Sequence, residues 1–366
     1  MKYITQRPEV RDTYDRFPGL LKYEKSTRVK VCGHTILPRI MLYNYDVVVC
    51  VMVGDYDRNF INDVIELATI RKDHSNQVIV LSTINKPMEF DLPTNIHWQT
   101  FRSMYAVYTK NSRWIERDRP LIEKHFISLN HRAMWYRQEL LYYFTEHNIL
   151  DKSYFSYHFV DRFANTGTPN NDSFQNNYTG TRELFDREDV IIGTNRYTDV
   201  NKDSIFNSLP YRNFEEPYVD NYSKFETIQD FYNRAAIVVD SETFSDSFLD
   251  YNAGITEKTL KPLLFGNPFL LYAGRGTLQL LKEMGFETYN NILDESYDDI
   301  ENPQKRFEFI LAETLRLSKI DLAEMSKLIK SVEAQTAHNQ NHILTTLVKQ
   351  LEEDGETLEN LIRSLI

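Results

Sequence analysis

The run YDVVVCVMV, Tyr45–Val53, constrains the fold of this chain more than any other segment. Its apolar residues are consecutive rather than alternating, so a strand formed here hides both faces. Strands hidden on both faces belong to parallel sheets covered by helices. The next stretch, NFINDVIELATIRKD, switches to a helical period, with Ile61, Val64, Ile65 and Ala68 on one face. NQVIVLST returns to a strand; VKVCG (Val29–Gly33) before it and NIHWQTF after it read as further strands. Alternating strand and helix predicts an α/β fold with a parallel sheet and right-handed crossovers.

A second series repeats the pattern. KHFISLN (Lys124–Asn130) reads as a strand, followed by a helix from about Ala133 to His147 that carries Arg137, with Arg132 at its mouth. YFSYHFV (Tyr154–Val160) is the next strand. The Asn-, Gly- and Thr-rich stretch FANTGTPNNDSFQNNYTGT is a loop, either a surface insertion or an active-site lid. DVIIGTN reads as a short strand, Thr227–Arg234 as a helix and AAIVVDSE (Ala235–Glu242) as a strand. Helix, strand and helix follow in ITEKTLKPLLFGNPFLLYAGRGTLQLLKEMGF. The expected organisation is a Rossmann-like domain over 1–120, a second over 121–302, and a helical extension over 303–366. In that extension Leu344, Leu347, Leu351, Leu358, Leu361 and Leu365 form a heptad-like series that either docks on the body or joins two copies in a homo-oligomer.

Composition excludes several classes. With 42% hydrophobic and 13% aromatic residues, a chain of 366 residues buries sizeable cores and is not globally disordered. A net charge of −11 argues against a protein that grips nucleic acid by charge. Cys32 and Cys50 sit in apolar runs and read as buried free thiols of a reducing compartment. No Cys and His cluster has zinc spacing. The N-terminal segment lacks an apolar signal core, and no run approaches the ~18 apolar residues of a membrane span. A soluble cytoplasmic protein without a membrane span is expected.

The residues with chemical potential stand where strands end. At Thr256-Glu257-Lys258, Thr256 can cap a helix, Glu257 can accept hydrogen bonds from two adjacent hydroxyls such as those of a ribose, and Lys258 can reach phosphate. The free N–H groups of such a helix mouth favour a diphosphate. The plain alternative is a capped surface helix with a solvated Glu–Lys face. Asn130, Arg132 and Arg137 follow a strand end, where open α/β sheets place ligands and where an arginine can clamp a pyrophosphate; the alternative is surface helix arginines. Asp240, Ser241, Glu242 and Thr243 end another apolar strand and open onto the same edge, or form a polar exit. In GDYDR, Asp55 and Asp57 can hold Mg²⁺ or Mn²⁺ on a nucleotide diphosphate, or supply a catalytic carboxylate. His34 in CGHTILP is a further candidate base. DESYDD reads as an acidic surface turn with Arg306 pairing nearby. No Gly-Lys-Ser/Thr phosphate loop, full G-x-G-x-x-G or G-x-S-x-G elbow is present.

ITEKTLKPLLFGNPFLLYAG resembles the donor-site segment of inverting glycosyltransferases of the GT-B fold, most closely the α1,3-fucosyltransferase pattern. It also resembles a broader group of uncharacterised phage and microbial proteins with TEK…KP…G-PF…DESYD and an upstream Asn-Arg…Arg. The likeness covers roughly 126–306 in scattered blocks, and Ile255–Asp298 is its specific part. Where that family has an aromatic residue just ahead of Thr-Glu-Lys, this chain has Ile255, with Tyr251 further back.

The resemblance implies a nucleotide-sugar donor on the second domain, in the interdomain cleft. Glu257 would sit on its ribose, and Lys258 with Arg132 on its diphosphate. A first-domain carboxylate or histidine would deprotonate the acceptor hydroxyl of a glycan or another compound, hydroxymethylated DNA included. No cofactor and no metal is required in this reading. A metal-dependent transferase using Asp55 and Asp57, and a non-catalytic binding or assembly module, stand beside it.

Overall fold

The computed structural model describes residues 18–23, 26, 28–32, 45–52, 58–71, 77–82, 92–103, 121–132, 134–160, 201, 204, 207–208, 211–213, 225–242 and 255–366. In chain order the elements begin with β1 (Val29–Cys32), β2 (Val47–Met52), α1 (Arg58–Arg71), β3 (Gln77–Ser82) and β4 (Ile96–Thr100). Then come β5 (Lys124–Arg132), α2 (Trp135–Glu146), β6 (Ser153–Val160), β7 (Tyr211–Arg212), α3 (Phe225–Arg234) and β8 (Ala235–Ser241). The rest are α4 (Glu257–Phe265), β9 (Phe269–Tyr272), α5 (Thr277–Glu283), α6 (Pro303–Ser318), α7 (Leu322–Ser331), α8 (Glu333–Asn341) and α9 (Leu347–Leu365). The chain forms two compact units: Met1–Asn111, Ser247–Glu257 and Asn341–Ile366 make the first, Ser112–Asp246 and Lys258–Gln340 the second. Among the described residues no helix is long and apolar enough to cross a membrane.

The first unit holds four parallel strands in the order β1-β2-β3-β4. The Tyr45–Val53 run supplies β2, which lies between β1 and β3. Its β-branched valines pack well on a pleated surface, and Val47, Val48 and Val49 are fully buried. One face packs Val48, Cys50, Val78 and Val80 against Val64, Leu67 and Ala68 of α1. Val47, Val49, Ile79 and Leu81 point the other way and are equally buried. Both faces are covered, as consecutive apolar residues require. Cys32 and Cys50 are paired in register on β1 and β2, and both are buried thiols outside any disulfide.

Helix α9 belongs to the same unit. It packs on the 3₁₀ turn Pro18–Tyr23, where Lys22 pairs with Glu359. The Ser103 hydroxyl donates to Asp354. Its apolar stripe, Leu347, Leu351, Leu358 and Ile362, is buried within the chain. Leu344, Leu361 and Leu365 are half-buried. The stripe packs within the first unit.

The second unit holds a sheet in the order β7-β6-β5-β8-β9. Four strands are parallel, and β7 is a short antiparallel edge. From β5 the chain passes through α2 to β6 on one side, then crosses to β8 on the other. The connectivity therefore reverses between β5 and β8. Aromatic contacts identify the covering layers. On one face Phe144 of α2 meets Phe126 and Phe155 at 6.2 and 5.2 Å, while Tyr272 meets Tyr136 of α2 and Phe307 of α6 at 5.0 and 4.8 Å. On the other face Tyr154 meets Phe231 of α3 at 5.2 Å, and Tyr232 of α3 meets Phe265 of α4 at 4.6 Å.

Several boundaries differ from the sequence reading. β5 runs on to Arg132, because its pairing with β6 resumes at Arg132–Val160 after an irregularity beyond Asn130. Arg132 is thus the last strand residue, and α2 starts at Trp135. Pro262 lies inside α4. It removes the N–H that would bond the Lys258 carbonyl. In DESYDD, Asp294 and Asp299 are exposed as a surface turn requires, while Asp298 is buried and accepts the N–H of Leu278 and Gln279 at the start of α5. Glu295 accepts Tyr289 N–H and the Thr288 hydroxyl. Arg306 is buried and donates to the Ile300 carbonyl at 2.6 Å. The segment DVIIGTN and the Asn-rich loop before it lie outside the described residues.

Candidate functional site

Pairing between β5 and β8 runs from Lys124–Ala235 to Ile127–Val238, yet β5 continues to Arg132 and β8 to Ser241. The carboxyl ends of the two strands run past their last shared pair at the point where the connectivity reverses. In open α/β sheets this is where a ligand crevice forms. The expected residues Asn130, Arg137, Ser241 and Glu242 all belong to this edge of the second unit.

On the face covered by α2, Asn130 stands in register with Tyr157 of β6. Asn130 is 1% exposed and its amide nitrogen donates to Ser128 Oγ at 3.0 Å. Its Oδ1 has no hydrogen-bond partner among the described residues. A buried amide oxygen left unsatisfied costs about 1–3 kcal/mol, so this position suits a ligand donor. Because Ser128 Oγ can also donate, the amide can turn over and present its nitrogen instead.

Arg137, 1% exposed in the first turn of α2, reaches across to β8. Its Nε donates to Ser241 Oγ and its Nη2 to the Ser241 carbonyl, both at 3.0 Å. The guanidinium also lies 5.6 Å from the Tyr136 ring centroid. The Tyr136 hydroxyl donates to the Glu242 carbonyl at 2.7 Å. The N-cap residue of α2, Met134, makes no side-chain capping bond.

The opposite face carries Asp240 and α4. Asp240 is 4% exposed, and its Oδ1 accepts the Ser241 N–H at 2.7 Å. Burial pushes its carboxyl up to about 6, against the pull of Lys258, Arg137, the Ser241 N–H and Lys261. Glu242, 2% exposed, accepts the Thr259 hydroxyl of α4. Lys258 and Lys261 are half-buried, one helical turn apart on α4.

Thr256 is half-buried just ahead of α4 and, with Glu257, is counted in the first unit. Arg132 closes β5 and Glu257 opens α4, but their side chains lie outside the described residues. So do His34, Asp55, Asp57 and Thr243 in full. Among the described residues no group of His, Cys, Asp or Glu side chains could hold a metal ion.

The sequence reading grouped Asp240 with its neighbours but gave it no role of its own, and it passed over Thr259 and Lys261. Two signals were available: an ionisable residue within the apolar run AAIVVDS, and two lysines at the i,i+3 spacing of one helix face. Together the edge brings cations from two helices to one strand end, beside a buried carboxylate and an unsatisfied amide. Such an arrangement can hold a ligand that carries both negative charge and hydroxyl groups. Compared with known proteins, the chain matches no family model, no curated protein and no solved structure.

Proposed function

We propose that this protein is a glycosyltransferase of GT-B architecture, hexosyl- or fucosyltransferase-like, that holds a nucleotide-diphosphate sugar at the carboxyl edge of its second sheet. One observation carries the reading: at the strand-order reversal between β5 and β8, Arg137 forks onto Ser241 beside the buried Asp240, whose carboxyl is influenced by Lys258 and Lys261 of α4. A diphosphate is the ligand group that needs several cations together, and a sugar or ribose supplies hydroxyls for Asn130 and Glu257. In the transfer step the acceptor oxygen bonds to the anomeric carbon of the sugar as the glycosyl–phosphate bond breaks, and negative charge grows on the leaving diphosphate. Lys258, Arg132 and Arg137 stabilise that charge without a metal. The acceptor hydroxyl loses its proton to a base, for which His34, Asp55 and Asp57 are the candidates.

A thermal-shift screen against GDP, UDP, CDP and their sugars tests the site, with Glu257→Ala and Lys258→Ala alongside. A ligand should raise the melting temperature of the wild type and lose most of its effect in Lys258→Ala. A shift that survives both substitutions sinks the site. Activity abolished by EDTA, with Asp57→Ala behaving the same way, would establish the metal-dependent alternative instead.

A further inference from the structure

The dipeptide Ser241–Glu242, where β8 ends, holds the starts of two helices. Arg137, the third residue of α2, forks onto the Ser241 hydroxyl and carbonyl at 3.0 Å each. Tyr136, beside it in the same turn, donates its hydroxyl to the Glu242 carbonyl at 2.7 Å. Thr259, the third residue of α4, donates its hydroxyl to Glu242 Oε1 at 2.5 Å. The Glu242 N–H bonds the Tyr272 carbonyl of β9 at 2.9 Å. Side chains alternate in direction along a strand, so Ser241 meets α2 on one face and Glu242 meets α4 on the other. Tyr136 and Thr259 are fully hidden, and Arg137, Ser241 and Glu242 are at most 2% exposed. Water does not compete for these bonds, so they fix the first turn of α4 relative to that of α2. A ligand is called for at the same strand ends. Asn130 of the adjacent strand β5 shares the α2 face with Phe126, and its Oδ1 lacks a partner among the described residues at 1% exposure.

We infer that Glu242 and Thr259 form a strap that sets the spacing between the first turns of α2 and α4, and that this spacing selects a nucleoside diphosphate over a monophosphate. The inference rests on the proposed binding of a nucleotide diphosphate at this edge. Each helix start carries a partial positive charge and a basic side chain in its first turn, Arg137 on α2 and Lys258 on α4. One phosphate engages one such turn. Two linked phosphates engage both, and the second contact is gained without a second loss of freedom. That gain exists while the two turns stand at the right separation and vanishes when they shift apart. Glu242 and Thr259 are positioning residues in this scheme: they act through Lys258, the residue before Thr259, and not by touching the ligand.

Titration calorimetry with GDP, GMP, UDP and UMP tests this. Wild-type protein should bind each diphosphate more tightly than its monophosphate. Thr259→Val removes the hydroxyl and keeps the shape; it should cut that preference about tenfold, the scale of one hydrogen bond, by weakening the diphosphate alone. Thr259→Ser keeps the hydroxyl and should keep the preference. No preference in the wild type, a preference unchanged in Thr259→Val, or a loss shared equally by mono- and diphosphate overturns the selection and leaves the donor site standing. A loss in Glu242→Ala without one in Thr259→Val overturns it too, since Glu242 then acts on the ligand itself. Failure of all four nucleotides to bind overturns the selection together with the donor reading. A ligand-free arm tests the strap by urea denaturation: the stability losses of Glu242→Ala and Thr259→Val should overlap in the double variant rather than add. Additive losses overturn the inference whatever binds.

Discussion

Arg137 and Ser241 are tied by a fork: Nε to the serine hydroxyl and Nη2 to its carbonyl, at 3.0 Å each. The pair locks the first turn of α2 to the end of β8. A lysine has the charge but not the planar fork, and cannot satisfy both acceptors from one stem. Arg137→Lys should cost roughly 1–3 kcal/mol of stability by leaving the buried Ser241 carbonyl short of a donor. Urea denaturation measures the loss. A variant as stable as the wild type would show that the fork does not brace this edge.

Asp240 makes folding stability depend on pH. Its folded-state value of about 6 exceeds the free value of 3.8, so the folded protein keeps the proton longer than the unfolded chain. Its contribution is complete below about pH 4 and is lost as pH rises through about 6. The loss amounts to roughly 3 kcal/mol, because each pH unit between the two values is worth about 1.4 kcal/mol. Asp240→Asn should flatten that part of the stability–pH profile and be the more stable protein above about pH 7. Chemical denaturation across the range checks both points, and a profile unchanged by the substitution refutes them.

Asp298 serves as the cap of α5, accepting the N–H of Leu278 at 3.1 Å on each carboxylate oxygen and that of Gln279 at 3.1 Å. Asp298→Ala should cost about 1 kcal/mol, within the usual range for losing a cap. Asp298→Asn keeps an acceptor and should lose only part of that. Equal losses for the two substitutions would mean that the charge, rather than the hydrogen bonding, is what α5 needs.

Gly266 turns the chain from α4 toward β9 at φ +70°. A Cβ there would stand 2.8 Å from the Gln340 amide nitrogen. Gly266→Ala should cost about 1–2 kcal/mol, chiefly from the left-handed backbone. Pairing it with Gln340→Ala should recover little, because the side chain can move aside and the dihedral cannot. Full recovery in the double variant would place the cost in the contact.

The parallel sheets were legible because burial on both faces writes itself into consecutive positions: Val47–Cys50, Val78–Leu81 and Ala235–Val239 read as strands without any knowledge of their partners. The place of Arg132 was not legible. Whether β5 stops at Asn130 or runs on depends on its pairing with β6, which lies 28 residues ahead at Val160. The burial of Asp298 was not legible for a similar reason. Nothing local distinguishes a solvated aspartate from one whose oxygens meet the N–H groups of a helix twenty residues earlier. Asn130, Arg137, Ser241 and Glu242 could be placed at this edge because strand ends are visible in sequence. The burial of Asp240 was not legible, because the helices that cover the end of β8 are placed by the tertiary structure.

The division of the first unit into Met1–Asn111, Ser247–Glu257 and Asn341–Ile366 bears on how the protein is made. Synthesis runs from the N-terminus, so the four strands of that unit leave the ribosome long before α9 exists. Every segment of the second unit is in hand by Gln340, while the first still lacks the helix that buries Leu347, Leu351, Leu358 and Ile362. The half of the protein that is translated first is thus completed last. During that interval its apolar surface stands exposed to chaperones, to aggregation and to proteases.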